Sequence, residues 1–181
     1  MTAQESAKHE SIINDIKAHC GDAVVGVERE HGDLVLVVQK SALVDALRQL
    51  RDHHGMDLLL DIAGVDCLEM EEYRERFELE YMLYATGDHC RVRVRTHVPE
   101  TDMDVDTASV LWQSANWAER EAFEMFGFNF VGHSCLRRLL THDEFDGHPL
   151  RKDYPIMGGQ WCSTTSDLTE QLNEDQGGVP E

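Results

Sequence analysis

Two alternating segments on either side of Gly87-Asp88 limit the possible folds of this chain more than any other part of it. Residues 76–85 and 89–98 alternate apolar and polar side chains, the pattern of strands that cover one face with a core. A glycine followed by aspartate suits a two-residue type II′ turn. Because residues equidistant from such a turn face each other, the turn sets the register of the predicted hairpin.

The predicted register separates the hairpin into two unlike faces. One face is almost wholly apolar and pairs Leu83 with Val92, Tyr81 with Val94 and Leu79 with Thr96. The other face carries the charges and pairs Tyr84 with Arg91, Met82 with Arg93 and Glu80 with Arg95. The arginines could be mistaken for a basic recognition stripe. Since acids lie opposite or nearby, we interpret this face as solvated and partly neutralised.

The segments before this hairpin predict a helix followed by a second hairpin. Isoleucines recur at helical spacing between residues 5 and 19, and Gly21 stands where a helix would end. Residues 24–30 and 34–39 are rich in β-branched side chains and flank His31-Gly32-Asp33. A turn sequence between two such segments indicates antiparallel strands.

Two further helices and one further strand complete the predicted order. Ser41 is a candidate N-cap for a helix that Gly55 ends. The continuous apolar run at residues 58–63 favours a strand covered on both faces. Thr107 is a candidate cap for a long helix reaching Phe126. We therefore predict an α+β fold, a two-layer sandwich of helices on a mixed β-sheet.

Composition and charge argue against several functions. The formal net charge of −19 opposes binding to nucleic acid. No apolar run approaches the ~18 residues of a membrane span, and residues 1–10 lack the features of a signal peptide, so we expect a cytoplasmic protein. The cysteines form no CxxC pair, and we interpret them as reduced, mostly buried side chains. They are Cys20, Cys67, Cys90, Cys135 and Cys162.

Residues 116–155, called the signature segment below, interleave charges with large apolar groups. An i,i+4 pair between Arg120 and Glu124 would contribute only ~0.3–0.5 kcal/mol if exposed, too little to explain the density of charge. Arg137 and Arg138 lie between leucines, as interface anchors often do. The alternative from these residues alone is an ordinary salt-bridged surface.

The spacing of this segment resembles a known family. The first motif is Glu119-Arg120-Glu121, Glu124, Met125-Phe126, His133, Arg137 and Leu139-Leu140, and the second is Pro149-Leu150-Arg151-Lys152-Asp153-Tyr154-Pro155. Both resemble hallmarks of the C subunit of respiratory complex I, the NADH:quinone oxidoreductase. Because the chain ends soon after the second motif, it resembles the unfused form of that protein.

The resemblance implies a cofactor-free scaffold protein of the peripheral arm, with FMN and iron–sulfur clusters held by the neighbouring subunits. It implies docking beside the D subunit near the quinone site, on the cytoplasmic side of the membrane and without a membrane span of its own. No residue is expected to be catalytic. The expected docking or structural residues are Glu119, Arg120, Glu121, Glu124, His133, Arg137, Arg138, Pro149, Arg151, Lys152 and Asp153.

We expect the chain to divide into three parts. Residues 1–126 form the α+β domain, and residues 127–155 form a loop region that packs on partner proteins. Residues 156–181 are acidic, with no Lys or Arg. They form either a disordered end or an extended C-terminal arm that a partner orders through Trp161 and Leu168.

Two alternatives remain open at this point. The first is the equivalent component of a membrane-bound hydrogenase or another complex I-related dehydrogenase, which the motifs separate poorly from complex I. The second is a free-standing metal hydrolase, since the right ligand types occur close together in sequence. Its candidate ligands are His133, His142, Asp143, Asp146 and His148.

Overall fold

The computed structural model describes residues 3–70, 75–157 and 160, and within them three α-helices and seven strands. In chain order these are α1 (Ala3–Cys20), β1 (Val24–Glu30), β2 (Asp33–Val38), α2 (Leu43–His54), β3 (Leu58–Asp66), β4 (Phe77–Ala85), β5 (Cys90–Val98), β6 (Asp104–Asp106), α3 (Ala115–Phe126) and β7 (Asn129–Val131).

The five longer strands form one mixed sheet in the order β1-β2-β5-β4-β3. The β2–β5 contact is parallel and the other three are antiparallel. The three helices and the inner face of the sheet share one hydrophobic core, with Ile12 of α1, Leu47 of α2 and Tyr81 of β4 fully buried. This arrangement confirms the predicted α+β fold with a mixed sheet. The small parallel pair of β6 and β7 was not predicted, because three-residue strands carry too little periodicity.

The register of the β4–β5 hairpin is confirmed at all six predicted pairs. The turn itself was predicted wrongly. The strands end at Ala85 and Cys90, which leaves the four residues 86–89 in the turn. Gly87 does not take the positive φ that a type II′ turn requires, and His89 does, at 53°. The backbone amide of Thr86 donates to Asp57 Oδ1 at 2.8 Å, which ties the turn to the loop before β3.

The charged face of this hairpin is partly neutralised, as predicted, but two of its three arginines are not solvated. The side chains of Arg93 and Arg95 are only 14% and 11% exposed, and Glu80 across from them is buried. These arginines are shielded because β2 and β1 lie beside the hairpin, and Glu30 of β1 binds both of them. Sequence periodicity within one hairpin could not show which strands would lie beside it.

The prediction that the run at residues 58–63 is covered on both faces was wrong. Leu58 and Leu60 are 40% and 48% exposed, because β3 is an edge strand paired only with β4. Further along, Gly64 lies so close to α3 that an added Cβ would come within 2.6 Å of the Phe126 ring. Burial of β3 is therefore concentrated where it meets the end of α3.

Two predicted caps were also wrong, although the predicted glycine stops were confirmed. Gly55 ends α2 in the left-handed region, at φ 67°. Ser41 lies in a short 3₁₀ turn, and α2 begins after Ala42 without a side-chain cap. Thr107 lies eight residues before Ala115, the first residue of α3, and its hydroxyl instead binds a carboxylate inside the helix.

Candidate docking region around helix α3

Glu124 holds the loop after β7 against the helix. Its carboxylate accepts hydrogen bonds from the backbone amides of Leu139, at 2.7 Å, and Leu140, at 2.8 Å. It also accepts bonds from the amide and the hydroxyl of Thr141. Burial raises the pKa of Glu124, but these four bonds favour the ionised form and together lower the pKa to about 2. The side chain is therefore an anionic anchor for residues 139–141.

Arg120 reinforces the same attachment one turn earlier. Its Nε donates to the carbonyl of Arg137 and its Nη2 to the carbonyl of Arg138, both at 3.0 Å. Its guanidinium lies 5.2 Å from the centre of the Trp117 ring. Arg120 and Glu124 therefore do not form the i,i+4 pair that their spacing allows, since each side chain binds the loop backbone instead.

Glu119 points the other way, into the core. Its side chain is fully shielded from solvent, Oε1 accepts the Ala108 amide at 2.6 Å, and Oε2 accepts the Thr107 hydroxyl at 2.5 Å. Burial outweighs these hydrogen bonds and raises the pKa of Glu119 to about 7. The carboxyl group ties the segment after β6 to α3.

His133 lies beside Glu119, and both nitrogens of its imidazole ring form hydrogen bonds within the chain. Its Nδ1 accepts the amide of Cys135 at 3.0 Å, so Nε2 carries the proton and donates it to the carbonyl of Asn116 at 3.2 Å. Nε2 also lies 3.9 Å from Glu119 Oε2, and the imidazole is shielded from solvent. Both ring nitrogens are thus used in holding β7 and the following turn to α3.

The second motif and His148, the residue before it, cap the C-terminal end of α3. Arg151 Nε donates to the carbonyl of Phe126 at 2.6 Å, and His148 Nδ1 donates to the carbonyl of Glu124 at 2.9 Å. These carbonyls have no partner inside the helix, so the two side chains satisfy them. Gly127 makes the approach possible, since it has φ 89° and an added Cβ would lie 2.6 Å from Arg151 Nη2.

A charge cluster that sequence reasoning missed ties the second motif to the sheet. Asp66, at the end of β3, has a fully shielded side chain that binds Arg76 at 3.0 Å and accepts the amide of Lys152 at 2.8 Å. Burial opposes ionisation, but Arg76 and the backbone amides lower the pKa of Asp66. Arg76 also binds Asp153 at 2.9 Å and Glu100 at 2.5 Å. No local pattern could bring Asp66 to Lys152, which follows it by 86 residues.

The predicted docking residues thus divide into three groups: bound inside the chain, half-buried and exposed. Five of them form hydrogen bonds inside the chain through their side chains: Glu119, Arg120, Glu124, His133 and Arg151. Arg138 is half-buried, binds the Thr141 hydroxyl and lies over Phe145, and Pro149 is also half-buried. Solvent reaches Glu121, Arg137, Lys152 and Asp153.

Large apolar side chains are exposed beside the solvent-facing charges. In the two motifs Leu140 is 63% exposed and Leu150 is 53% exposed, and just beyond them Ile156 is 100% and Met157 95% exposed. Trp117, on the outer side of α3, is 61% exposed. We call Leu140, Leu150, Ile156 and Met157 the apolar rim. Trp161 and Leu168, the predicted anchors of the arm, lie outside the described residues.

The metal-hydrolase alternative finds no support in the geometry. Within the described ranges, no three His, Cys, Asp or Glu side chains are placed to hold one metal ion. His133 and His148 instead bind backbone carbonyls near opposite ends of α3. Of the cysteines, Cys67 and Cys90 are buried, Cys20 is half-buried and Cys135 is exposed, all as free thiols. Cys162 lies outside the described residues.

In the part of the chain that the structure describes, no helix has the length and hydropathy needed to cross a bilayer.

Comparison with known proteins agrees with the resemblance of the two motifs. The family model for the respiratory-chain NADH dehydrogenase 30 Kd subunit matches residues 36–160. The NADH-quinone oxidoreductase C subunit of Novosphingobium aromaticivorans is 40% identical over 157 residues, which cover 87% of this chain and 50% of that protein. Its counterpart in Geobacter sulfurreducens is 36% identical, over 84% of this chain and 93% of that protein. The chain thus spans about half the length of one relative and nearly all of the other.

Solved structures share the fold. The trypsin-resistant fragment of Nqo5 is 32% identical, with a TM-score of 0.64 over 71% of this chain and 99% of the fragment. A chain of an archaeal respiratory membrane complex, the membrane-bound sulfane sulfur reductase, has a TM-score of 0.69 over 96% of each chain. At 20% identity, that second likeness shows the fold alone. The family model matches most of this chain, and the C subunits of Novosphingobium aromaticivorans and Geobacter sulfurreducens are 40% and 36% identical to it. The chain therefore belongs to the respiratory-chain NADH dehydrogenase 30 Kd subunit family.

Proposed function

We propose that this chain is a scaffold protein in the peripheral arm of a proton-translocating NADH:quinone oxidoreductase. It would dock beside the D subunit near the quinone site, on the cytoplasmic side of the membrane. One observation carries the proposal: α3 holds residues 137–141 through the side chains of Arg120 and Glu124, and the chain from there to Met157 exposes the apolar rim. Arg137, Lys152 and Asp153 are exposed in the same stretch. Apolar anchors among charged groups are typical of a protein interface.

The exposed apolar side chains support docking on energetic grounds. Ile156 and Met157 are almost fully exposed, and Leu150 is more than half exposed. Burial of one such side chain contributes about 1.5–3 kcal/mol, so a partner that covers the apolar rim would gain substantially. In the isolated chain these side chains stay exposed to water, so they contribute little to its stability.

The perturbed acids support a scaffold role for this protein. Glu119 and Glu124 have strongly shifted pKa values, a property that catalytic groups often share. Both are nevertheless shielded from solvent, and their oxygen atoms accept hydrogen bonds from the chain itself. A group in that position orients backbone segments and does not meet a substrate, so we infer a positioning role. Electron carriers in neighbouring subunits would need such fixed geometry.

Copurification tests the assembly. The chain would be tagged in its native host, the membranes solubilised gently, and the copurifying proteins identified by mass spectrometry. Recovery of the D subunit with the NADH-oxidising subunits supports the proposal. A nickel-binding large subunit would reassign the chain to a hydrogenase, and a chain that purifies alone from the soluble fraction would overturn the scaffold role.

A matched pair of variants tests the docking surface. Leu150→Asp places a charge on the apolar rim, and Leu58→Asp makes the same change on an exposed leucine at the far end of β3. Both variants should fold, but only Leu150→Asp should reduce recovery of the partner proteins. Equal recovery with both variants would remove the apolar rim from the interface.

A further inference from the structure

On the outer face of the sheet, opposite the helical layer, the described ion-pair cluster contains more carboxylates than arginines. Three arginines of β5 contact carboxylates on this face, namely Arg91, Arg93 and Arg95. Five carboxylates share them: Glu28, Glu30, Asp33, Glu78 and Glu80. Each arginine contributes one positive charge, so two of the five negative charges are left without a matching arginine.

Glu78 is the carboxylate of this cluster that most lacks a positive partner. Its side chain is 5% exposed, and its Oε1 lies 3.3 Å from Arg95 Nε. Its Oε2 accepts no hydrogen bond from any described residue, and His97 Nδ1 lies 3.5 Å away. Burial raises the pKa of Glu78, and the nearby Glu80 and Glu30 raise it further, against Arg95 and His97. A buried carboxylate with an unsatisfied oxygen is costly unless a further cation approaches.

A groove lies on the same face of the sheet, along β1, β2 and β5. It has a volume of about 690 Å³, and Gly26 of β1 and Val37 of β2 form part of its walls. The charged or titratable residues of the walls are Glu28, Glu30, Lys40, Glu75, Arg95 and His97, and Lys40 is already paired with Asp102. The side chain of Glu28 is 50% exposed, so a ligand can reach it. Arg95 and His97 line the groove and contact Glu78, so the groove lies beside the buried carboxylate, which does not itself reach the groove wall.

From this arrangement we infer that the groove between β1, β2 and β5 is a second docking site, which accepts an arginine- or lysine-bearing segment of a neighbouring polypeptide. Charge complementarity selects this occupant, because the described carboxylates of this face outnumber its arginines and the half-exposed carboxylate of Glu28 lies at the groove. The five residues that carry the argument, Glu28, Glu30, Glu78, Arg95 and His97, lie outside the signature segment. The site is therefore additional to the docking described above, although it depends on the same assembly.

Carboxyl footprinting of the intact assembly tests this docking. Carbodiimide-activated glycine ethyl ester would label accessible acids in the free full-length chain and in the assembly purified with it. We expect Glu28 to be labelled several-fold more slowly in the assembly, with no change at Asp45, whose side chain is 65% exposed on α2. Equal labelling of Glu28 in both samples would overturn the inference. If the assembly forms normally in that case, the proposed function still stands.

A peptide titration tests the chemistry of the occupant. Capped tri-arginine would be titrated into the labelled full-length chain and followed by NMR, with tri-citrulline as the uncharged control. We expect shifts of Gly26, Gln39 and His97, and a dissociation constant raised about tenfold by Glu28→Gln with Glu75→Gln, or about 1.4 kcal/mol. The matched control, Glu121→Gln with Asp143→Asn, removes two exposed acids elsewhere. Equal weakening by both pairs, or equal binding of tri-citrulline, would show nonspecific attraction and overturn charge recognition.

Discussion

Glu119 and Glu124 stand five residues apart on α3, both shielded from solvent, with pKa values shifted in opposite directions. The difference lies in their donors. Glu124 has four hydrogen bonds that favour its charge, whereas the bonds to Glu119 do not offset the cost of its burial. One helix therefore contains a carboxyl group with a raised pKa, Glu119, and another with a lowered pKa, Glu124.

The raised pKa of Glu119 predicts a loss of stability as pH rises. Between pH 4.5 and about 7 the folded chain holds a proton that the unfolded chain has released, so this group lowers the free energy of unfolding across that window, by about 3 kcal/mol in all. Glu119→Gln removes this component. Urea unfolding from pH 5 to pH 8 should show the variant gaining stability relative to the native chain as pH rises.

Glu121→Gln is the control for this prediction, because Glu121 is exposed on the same helix. Its difference from the native chain should stay nearly constant over the same pH range. If the Glu119→Gln difference is equally flat, the carboxyl group does not titrate within this window.

The lowered pKa of Glu124 predicts the opposite pH dependence. Its stabilising contribution is complete above pH 4.5 and is lost as pH falls toward 2. Glu124→Gln should lower the free energy of unfolding by about 2–3 kcal/mol at pH 7, since charge-assisted bonds to buried groups are lost. The deficit should shrink at pH 3.

Hydrogen exchange localises the Glu124 effect. In Glu124→Gln the amides of Leu139, Leu140 and Thr141 should exchange faster, because they donate to this carboxylate. Amides of the β4–β5 hairpin should change only with global stability. Unchanged exchange at residues 139–141 would mean that other contacts hold the loop.

Gly127→Ala should destabilise the chain by about 1–3 kcal/mol for two independent reasons. The residue has φ 89°, and its new Cβ would lie 2.6 Å from Arg151 Nη2 and 2.7 Å from His148 Nε2. Thermal unfolding measures the loss. Gly87→Ala is the matched control, since no atom lies within 4 Å of its Cβ position and its φ is not in the left-handed region. A similar change in both variants would refute the steric explanation.

Asp66→Asn should cost about 3–5 kcal/mol, because it leaves Arg76 without its buried partner. Asp153→Asn, which removes a half-exposed partner of the same arginine, should cost less than about 1 kcal/mol. Chemical denaturation compares the two. Trypsin cleavage after Lys152 should also accelerate in Asp66→Asn alone, because the Lys152 amide loses its anionic acceptor. Equal rates in both variants would contradict this role for Asp66.

Features set by neighbours in the chain were predictable from the sequence. The α+β class, the register of the β4–β5 hairpin and the ends of α1 and α2 at glycines follow from periodicity and from backbone conformation, which act over a few residues. The two motifs of the signature segment also carried the family resemblance, which the family model over residues 36–160 confirms. The Glu and Arg residues of this segment were expected to dock or support structure, and docking stays a prediction.

Features set by distant contacts were not predictable. Leu58 and Leu60 are exposed because β3 lies at the edge of the sheet, and Thr107 binds Glu119 instead of capping a helix. The same holds for the attachment of Asp66 to Arg76 and Lys152. Strand order and loop packing depend on burial and charge pairing between residues far apart in sequence, and the local pattern at any one of them is compatible with several partners. Folding of the whole chain selects among those partners, because a shielded charge is stable only where donors or opposite charges surround it.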